Sequence, residues 1–342
     1  MLRVLVVDDS KVARLMVAQI LHSDPDLSVV GEAEDGAEAV EKAAKLKPDI
    51  ITMDVHMPVM DGLEATRRIM EQSPTPIVVV SASADRENLT KSFDAIEAGA
   101  LTILEKPSGP GRQEFAEQAR DIVTTVKLMA DVKVIRRAIR PGERRMPTPA
   151  PALRQSVEIA AIAASTGGPS ALTRILGSLN RDTPVPILAV QHIARGFDQG
   201  LVEWLDRSSN LPVRLAEHGS PLRPGHVFLA PNDFHLGLGQ NGQLSLQDDP
   251  PIGGHRPSAT FLFSSIAKAY GSRAMGVVLT GMGQDGARGL LELRRAGGWT
   301  LAQDEATSVV YGMPKAAIEA GAVARVLPLD EIAEAMTGMW RR

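Results

Sequence analysis

Residues 161–169 read A-I-A-A-S-T-G-G-P. The apolar run 157–164 that leads into them has the length and character of a buried strand. The segment 169–179 that follows has the pattern of a helix. A small nucleophilic hydroxyl, Ser165, therefore stands where a strand turns into a helix, followed by Thr166 and two glycines. Backbone N–H groups at a helix start lack internal partners. They can bind an anion, either a resident phosphate or a short-lived oxyanion. This stretch alone does not choose between the two.

Outward from it, the C-terminal half repeats the same unit. Apolar runs at 157–164, 187–192, 226–230, 274–279 and 300–302 alternate with amphipathic segments at 169–179, 197–207, 259–269, 286–296 and 315–320. Asn241-Gly242, set between alternating runs, signals a hairpin. Alternation of this kind predicts an α/β domain built on a parallel sheet. In such sheets function gathers at the carboxyl ends of the strands. Those ends carry Ser165, His192 and Asp285, a set sufficient for nucleophilic acyl transfer. Ser165 would attack a carbonyl, His192 would take and return the proton, and Asp285 would hold the imidazole. The amide of Met282, or those following Ser165, would supply oxyanion donors. Structural alternatives stand beside each role. Ser165 has the place of a helix N-cap, His192 that of a core histidine, and Asp285 that of a cap for the helix after it. Residues 166–168 could cradle a phosphate, although no G-x-G-x-x-G or G-K-[ST] is present. A G-x-S-x-G elbow is also missing, which disfavours an ordinary lipase or esterase. His218, His226, His235 and His255 lack metal-like spacing, which speaks against a zinc hydrolase.

The N-terminal half alternates in the same way. Strand-like runs at 4–7, 28–30, 50–53, 77–80 and 102–104 separate helical patterns at 11–22, 36–45, 62–71, 88–98 and 113–127. This predicts a second doubly wound parallel sheet. Its strand ends present Asp8 and Asp9, then Asp54, then Ser81, then Lys106 and Pro107. Three carboxylates on one sheet edge call for a cation, and hard oxygen ligands suit Mg²⁺. A nearby Lys and a hydroxyl suit a phosphoryl group carried on one carboxylate. The simpler reading, that Asp8 and Asp9 begin a turn with Ser10 as a cap, does not account for the coincidence at four strand ends.

Between the halves, Pro141, Pro147, Pro149 and Pro151 break any helix. Eight basic residues in this stretch, from Lys127 to Arg154, face only Asp131 and Glu143. A solvated, basic, Pro-containing linker that lets the domains rearrange is expected, with electrostatic contact to acidic partners as the functional reading. The expected division is a domain at 1–127, a linker at 128–155 and a domain at 156–342. At 342 residues two domains are the natural count. The net charge of −4 gives no reason to expect nucleic-acid binding. The lack of cysteine excludes disulfides and a thiol nucleophile. With no apolar run near the ~18 residues of a membrane span, and no signal-peptide pattern, no membrane insertion and a cytoplasmic location are expected.

Residues 1–120 resemble a response-regulator receiver domain. The resemblance rests on V-D-D-S (7–10), D-V-H-M-P-V-M-D-G (54–62), S-A-S (81–83) and E-K-P (105–107). It implies that Asp54 is the phosphoacceptor and that Asp8, Asp9 and Asp54 hold Mg²⁺ with the Val55 carbonyl. It also implies that Ser81 and Lys106 contact the phosphoryl group and that a histidine kinase is the donor. The switch aromatic common in receivers is replaced by Ile103. Residues 156–342 resemble the methylesterase domain of bacterial chemotaxis, the CheB-type protein-glutamate methylesterase and glutamine deamidase. The carrying motifs are A-S-T-G-G-P (164–169), Q-H-I (191–193), H-R-P-S (255–258), L-T-G-M-G-Q-D-G-A (279–287) and Y-G-M-P (311–314). By this resemblance Ser165, His192 and Asp285 are the triad, with Thr166 and Met282 as oxyanion or site-shaping residues. His255 and Arg256 would line the cleft without being catalytic. The implied activity is a cofactor-independent carboxylic ester hydrolase and protein-glutamine glutaminase acting on methyl-accepting chemotaxis receptors. The unphosphorylated receiver would cover the Ser165 cleft. The alternatives are a response regulator acting by binding alone, or the same chemistry in a non-chemotaxis pathway.

Overall fold

The computed structural model describes residues 1–82, 86–109, 111–112, 114–132 and 156–340. Ser83 and most of the stretch read as a linker lie outside the described residues.

The first sheet follows from its sequence. β1 (Leu2–Val7), α1 (Lys11–His22), β2 (Leu27–Ala33), α2 (Gly36–Leu46), β3 (Ile50–Met53), α3 (Gly62–Gln72), β4 (Ile77–Ser81), α4 (Arg86–Ala98), β5 (Thr102–Glu105) and α5 (Phe115–Ala130) alternate strictly. Strand order is β2-β1-β3-β4-β5, and every pairing is parallel. β3 and β4 are buried at every residue, so they read as continuous apolar runs rather than as alternation. Ser10, Asp35 and Asp61 cap α1, α2 and α3 through their side chains. The strand order reverses between β1 and β3, so the crevice at their carboxyl ends is where a ligand site is expected. Asp8 and Asp54 stand at that crevice, and the Asp54 N–H donates to the Val7 carbonyl across it (2.9 Å). α5 continues to Ala130, three residues into the stretch read as linker.

The second sheet is larger. β6 (Ile159–Ala164), α6 (Gly168–Ser178), β7 (Ile187–Gln191), α7 (Asp198–Ser208), β8 (Val213–Leu215) and β9 (Val227–Leu229) build one side. β10 (His235–Leu238) and β11 (Leu244–Gln247) pair as an antiparallel hairpin across the Asn241-Gly242 turn. α8 (Ala259–Tyr270), β12 (Ala274–Val278), α9 (Ala287–Arg295), β13 (Trp299–Gln303), α10 (Met313–Glu319), β14 (Arg325–Leu327) and α11 (Leu329–Thr337) complete the chain. The seven-stranded order is β14-β13-β12-β6-β7-β9-β8, parallel throughout. The chain moves from β6 to one side and returns to the other at β12, which makes the carboxyl end of β6 the reversal point. Three elements not expected from the sequence are β8, β14 and α11.

The two domains touch. Phe93 of α4 stacks on Trp204 of α7 with ring centroids 5.7 Å apart. Asp94 of α4 meets Arg207 of α7 at 3.5 Å. Val309 and Val310 pack against an apolar cluster otherwise made of first-domain residues. Among the described residues no helix is long and apolar enough to cross a membrane.

Candidate active site

Ser165 is delivered by β6, whose register with its neighbours sets everything around it. Ala164 pairs with Gln191 of β7. One step further, the His192 N–H donates to the Ala164 carbonyl and the Ser165 N–H to the Thr280 carbonyl, both at 3.0 Å. Ser165 thus lies between the exits of β7 and β12. The N-cap alternative does not hold, because the N-cap of α6 is Gly167, which adopts φ 77°. A side chain there would be strained by the backbone and would also strike Val309. The Ser165 hydroxyl has no hydrogen-bond partner among the described residues and is half-buried, so it is free for chemistry.

Its neighbours form a rigid charge-bearing pair. His192 Nε2 lies 3.0 Å from Asp285 Oδ2. No hydrogen bond joins His192 to Ser165; His192 Nδ1 is buried and unpartnered. With Asp285 on Nε2, Nδ1 is the nitrogen left to act as base. Catalytic hydrogen bonds are often long before substrate arrives, so their absence does not remove a candidate. Asp285 is buried, yet it accepts from Ser258 Oγ (2.8 Å), Ala259 N–H (2.6 Å), Thr260 N–H (3.0 Å) and Gly286 N–H (2.9 Å). Burial pushes its carboxyl up, but the hydrogen bond and charge of His192, with the Thr260 donors, outweigh it. The net result is a carboxyl held well below the usual range. The alternative of a helix cap is half met: Asp285 occupies the N-terminus of α8, not that of the helix following it in sequence.

Several contributors were not legible in the sequence. Gln191 Nε2 donates to both the Ser165 carbonyl (2.7 Å) and the His192 carbonyl (2.8 Å), tying the two loops together. Ser258, read only as part of a motif, holds Asp285. Thr280 Oγ1 donates to the Thr166 carbonyl (2.9 Å). The backbone N–H groups of Thr166 and Met282 donate to no protein group among the described residues, which leaves both free for an oxyanion. The Met282 side chain is exposed. The ring of His255 stacks face to face on His192, with centroids 4.0 Å apart and planes 1° from parallel.

The crevice of the first sheet collects Asp8, Asp9 and Asp54, with ligand oxygens within 4.8 Å of one another. Lys106 Nζ reaches both Asp8 Oδ2 and Asp54 Oδ2 at 2.8 Å. Burial raises the Asp8 carboxyl above its usual range despite Lys106, and Asp54 adds to that rise. Burial depresses Lys106, but the charges of Asp54 and Asp8 more than restore it, leaving it raised. Three carboxylates around one ammonium leave a negative excess that a divalent cation fits. The Val55 carbonyl already accepts from the Gly62 N–H (2.9 Å) and has a second lone pair. Ser81, at the end of β4, is buried and accepts from Ser92 Oγ of α4 (3.0 Å). Ile103 is buried in the core.

A cleft of about 800 Å³ separates the domains near the Ser165 loop. Asp94 and Glu97 of α4 line one wall, and Gly167, Ala171, Trp204 and Thr280 line the other.

Known proteins are similar to this chain over both domains. The profile of the response regulator receiver domain matches residues 4–116, and that of the CheB methylesterase matches residues 160–336. The protein-glutamate methylesterase/protein-glutamine glutaminase 4 of Myxococcus xanthus is 49% identical over 99% of this chain and 97% of its own. The enzyme of the same name from Geobacter metallireducens is 49% identical over 99% of both chains. The crystal structure of the Thermotoga maritima CheB methylesterase catalytic domain superimposes with a TM-score of 0.52 at 42% identity, covering 54% of this chain and 98% of that one. On these grounds the chain belongs to the CheB methylesterase family, in the form that carries a response-regulator receiver domain ahead of the esterase domain.

Proposed function

We propose that this protein hydrolyses γ-glutamyl methyl esters on methyl-accepting chemotaxis receptors and deamidates glutamines there, under control of phosphorylation at Asp54. The observation that carries the reading is an unengaged Ser165 hydroxyl beside a His192–Asp285 pair held at 3.0 Å. In the first step Ser165 Oγ bonds to the acyl carbon and its proton passes to His192 Nδ1. The oxyanion is met by the Thr166 and Met282 N–H groups; losing one such donor typically costs ~10²–10³ in rate. The tetrahedral species then breaks its bond to the leaving oxygen, which takes the proton from His192 and departs as methanol. From glutamine the leaving group is ammonia. Water next adds to the acyl carbon and gives its proton to His192. The acyl–Oγ bond breaks, the proton returns to Ser165, and a glutamate is left.

In the receiver, Asp54 accepts a phosphoryl group from a histidine kinase, and Ser81 and Lys106 contact its oxygens. Asp8, Asp9 and Asp54, with the Val55 carbonyl, are the residues that would hold Mg²⁺. A bound Mg²⁺ neutralises phosphoryl charge. The packing of α4 along the cleft wall supports inhibition by the unphosphorylated receiver. A coupling of ~1–3 kcal/mol corresponds to about 5–150-fold in activity.

Replacing Ser165 with Ala tests the reading. Methanol release from methylated receptor membranes is expected to fall to background, while phosphorylation of Asp54 from a small-molecule phosphodonor stays intact. Undiminished methanol release sinks the serine mechanism.

A further inference from the structure

The mechanism leaves one half-buried imidazole unused. His255 lies over His192 with centroids 4.0 Å apart and planes 1° from parallel. The segment that carries it is tightly held. The backbone N–H groups of Ile252 and His255 donate to each other's carbonyls at 3.1 Å, closing a turn over Gly253 and Gly254. Arg256, the next residue, donates to the Asp248 and Asp249 carbonyls at 2.8 and 3.2 Å. Two residues later the same segment supplies Ser258, Ala259 and Thr260 to Asp285. One short stretch therefore grips both partners of Ser165: the carboxylate by hydrogen bonds and the imidazole by its face.

The ring of His255 makes no hydrogen bond to protein among the described residues; the face of His192 is what it packs on. Two consequences follow. The plate blocks rotation of His192 about its side-chain bonds, which keeps Nε2 on Asp285 and leaves Nδ1 as the unengaged nitrogen. It also presents an aromatic face to a ring that becomes an imidazolium at each proton transfer. A cation over an aromatic face is favoured by the ring's electron-rich face. A neutral His255 serves this purpose and a charged one opposes it. Burial first, and then the neighbouring His192, depress its proton affinity against the pull of Asp285, which keeps it neutral.

Resting on the hydrolase reading above, we propose that His255 is a positioning residue for that reaction, a neutral aromatic plate that fixes the orientation of His192 and favours its protonated form in the transition state. It touches neither the substrate nor the acyl carbon in this role; it acts through His192.

The test uses full-length phosphorylated protein and methylated receptor membranes, with three variants. His255→Ala is expected to lower kcat about 2- to 30-fold with KM unchanged, the range that loss of such a face contact implies. His255→Phe, which keeps an aromatic plate and carries no charge, is expected to restore kcat to within about threefold of the parent. Ser165→Ala in the same assay, with labelling of Ser165 by a fluorophosphonate, reports separately on the hydrolase reading. If Ser165→Ala still turns over, that reading fails whatever His255 does. If Ser165→Ala is dead, the plate is overturned by either of two results: His255→Ala keeps its full kcat, or His255→Phe falls as far as His255→Ala. Slower fluorophosphonate labelling in His255→Ala, restored in His255→Phe, supports the plate without involving the receptor.

Discussion

Asp285 shows how one residue serves stability and chemistry together. Its carboxylate accepts from Ser258, Ala259, Thr260 and Gly286 while holding His192. Changing it to Asn sets an NH₂ group against donors in either orientation: the Ala259 N–H and His192 Nε2 on the Oδ2 side, or Ser258 Oγ and the Thr260 and Gly286 N–H groups on the Oδ1 side. In Ser-His-Asp enzymes a change of this kind lowers kcat ~10⁴-fold by fixing the wrong tautomer, and a loss of that order in methanol release is expected here. The same residues shape the pH dependence of folding. The folded carboxyl of Asp285 is depressed below the unfolded value of about 4. It therefore contributes stability that is present above about pH 4 and lost as pH falls further. His255 is depressed below the unfolded value of about 6.5. Its contribution is present above about pH 6.5 and is lost as pH falls from there towards its folded value. A thermal melt series from pH 7 to pH 5 checks this. The parent is expected to lose more Tm than His255→Phe over that range, by about 2–4 °C for each kcal/mol of linkage. Equal slopes count against a neutral, half-buried His255.

At the scale of elements, the site depends on how closely two loops pass. A Cβ on Gly281 would lie 2.7 Å from Ser165 Cβ and 2.5 Å from Met313 Sδ, too near for either to stay in place. Gly281→Ala is expected to move Ser165 by a fraction of an ångström and to lower kcat by up to ~10²-fold, the scale of a 1 Å misplacement. Parallel melts are expected to show a much smaller relative effect on stability; an unchanged kcat counts against the close-packed loop. Most of the elements behind this site were legible in the sequence. The central strands of both sheets are largely buried on both faces, so β1, β3, β4, β6 and β12 stand out as apolar runs, each ended by a turn or a polar residue. β8 and β14, three residues each at the sheet edges, bury too little to leave a pattern. Ser165, His192, Asp285 and the acidic crevice were legible because strand ends of one parallel sheet converge. Gln191, Ser258 and His255 were not, because their roles come from contacts between segments far apart in the chain. Gln191 in particular reads as one more residue of the strand-like run 187–192, and it is the last residue of β7. Only the fold brings its amide to the Ser165 and His192 carbonyls.

At the scale of the whole molecule, α4 carries two kinds of contact on adjacent residues. Ser92 donates to Ser81 at the phosphorylation crevice, and Phe93 beside it packs on Trp204 of the catalytic domain. The loop carrying Val309 and Val310 makes a second bridge. It joins the receiver's apolar cluster, while Val310 O accepts from the Gly281 N–H at 2.9 Å and Val309 packs where a Cβ on Gly167 would fall. The receiver therefore meets the esterase both along the cleft wall and through a loop that touches the two glycines flanking Ser165. Phe93 and Trp204 are both buried where they stack, so truncating Phe93 removes apolar contact between the domains. A weaker interface shifts the population towards the open arrangement without phosphate. Phe93→Ala is accordingly expected to raise the basal rate of methanol release from unphosphorylated protein, within the ~5–150-fold span of a typical coupling energy. The further gain on adding a phosphodonor is expected to shrink by the same factor, because the same equilibrium is being moved from both ends. Deleting residues 1–130 extends the comparison. Its basal rate is expected to match or exceed that of Phe93→Ala and to ignore the phosphodonor. A basal rate that stays flat or falls in both proteins means that the receiver assists the esterase rather than restrains it, and the α4 contact then has to be read as a brace.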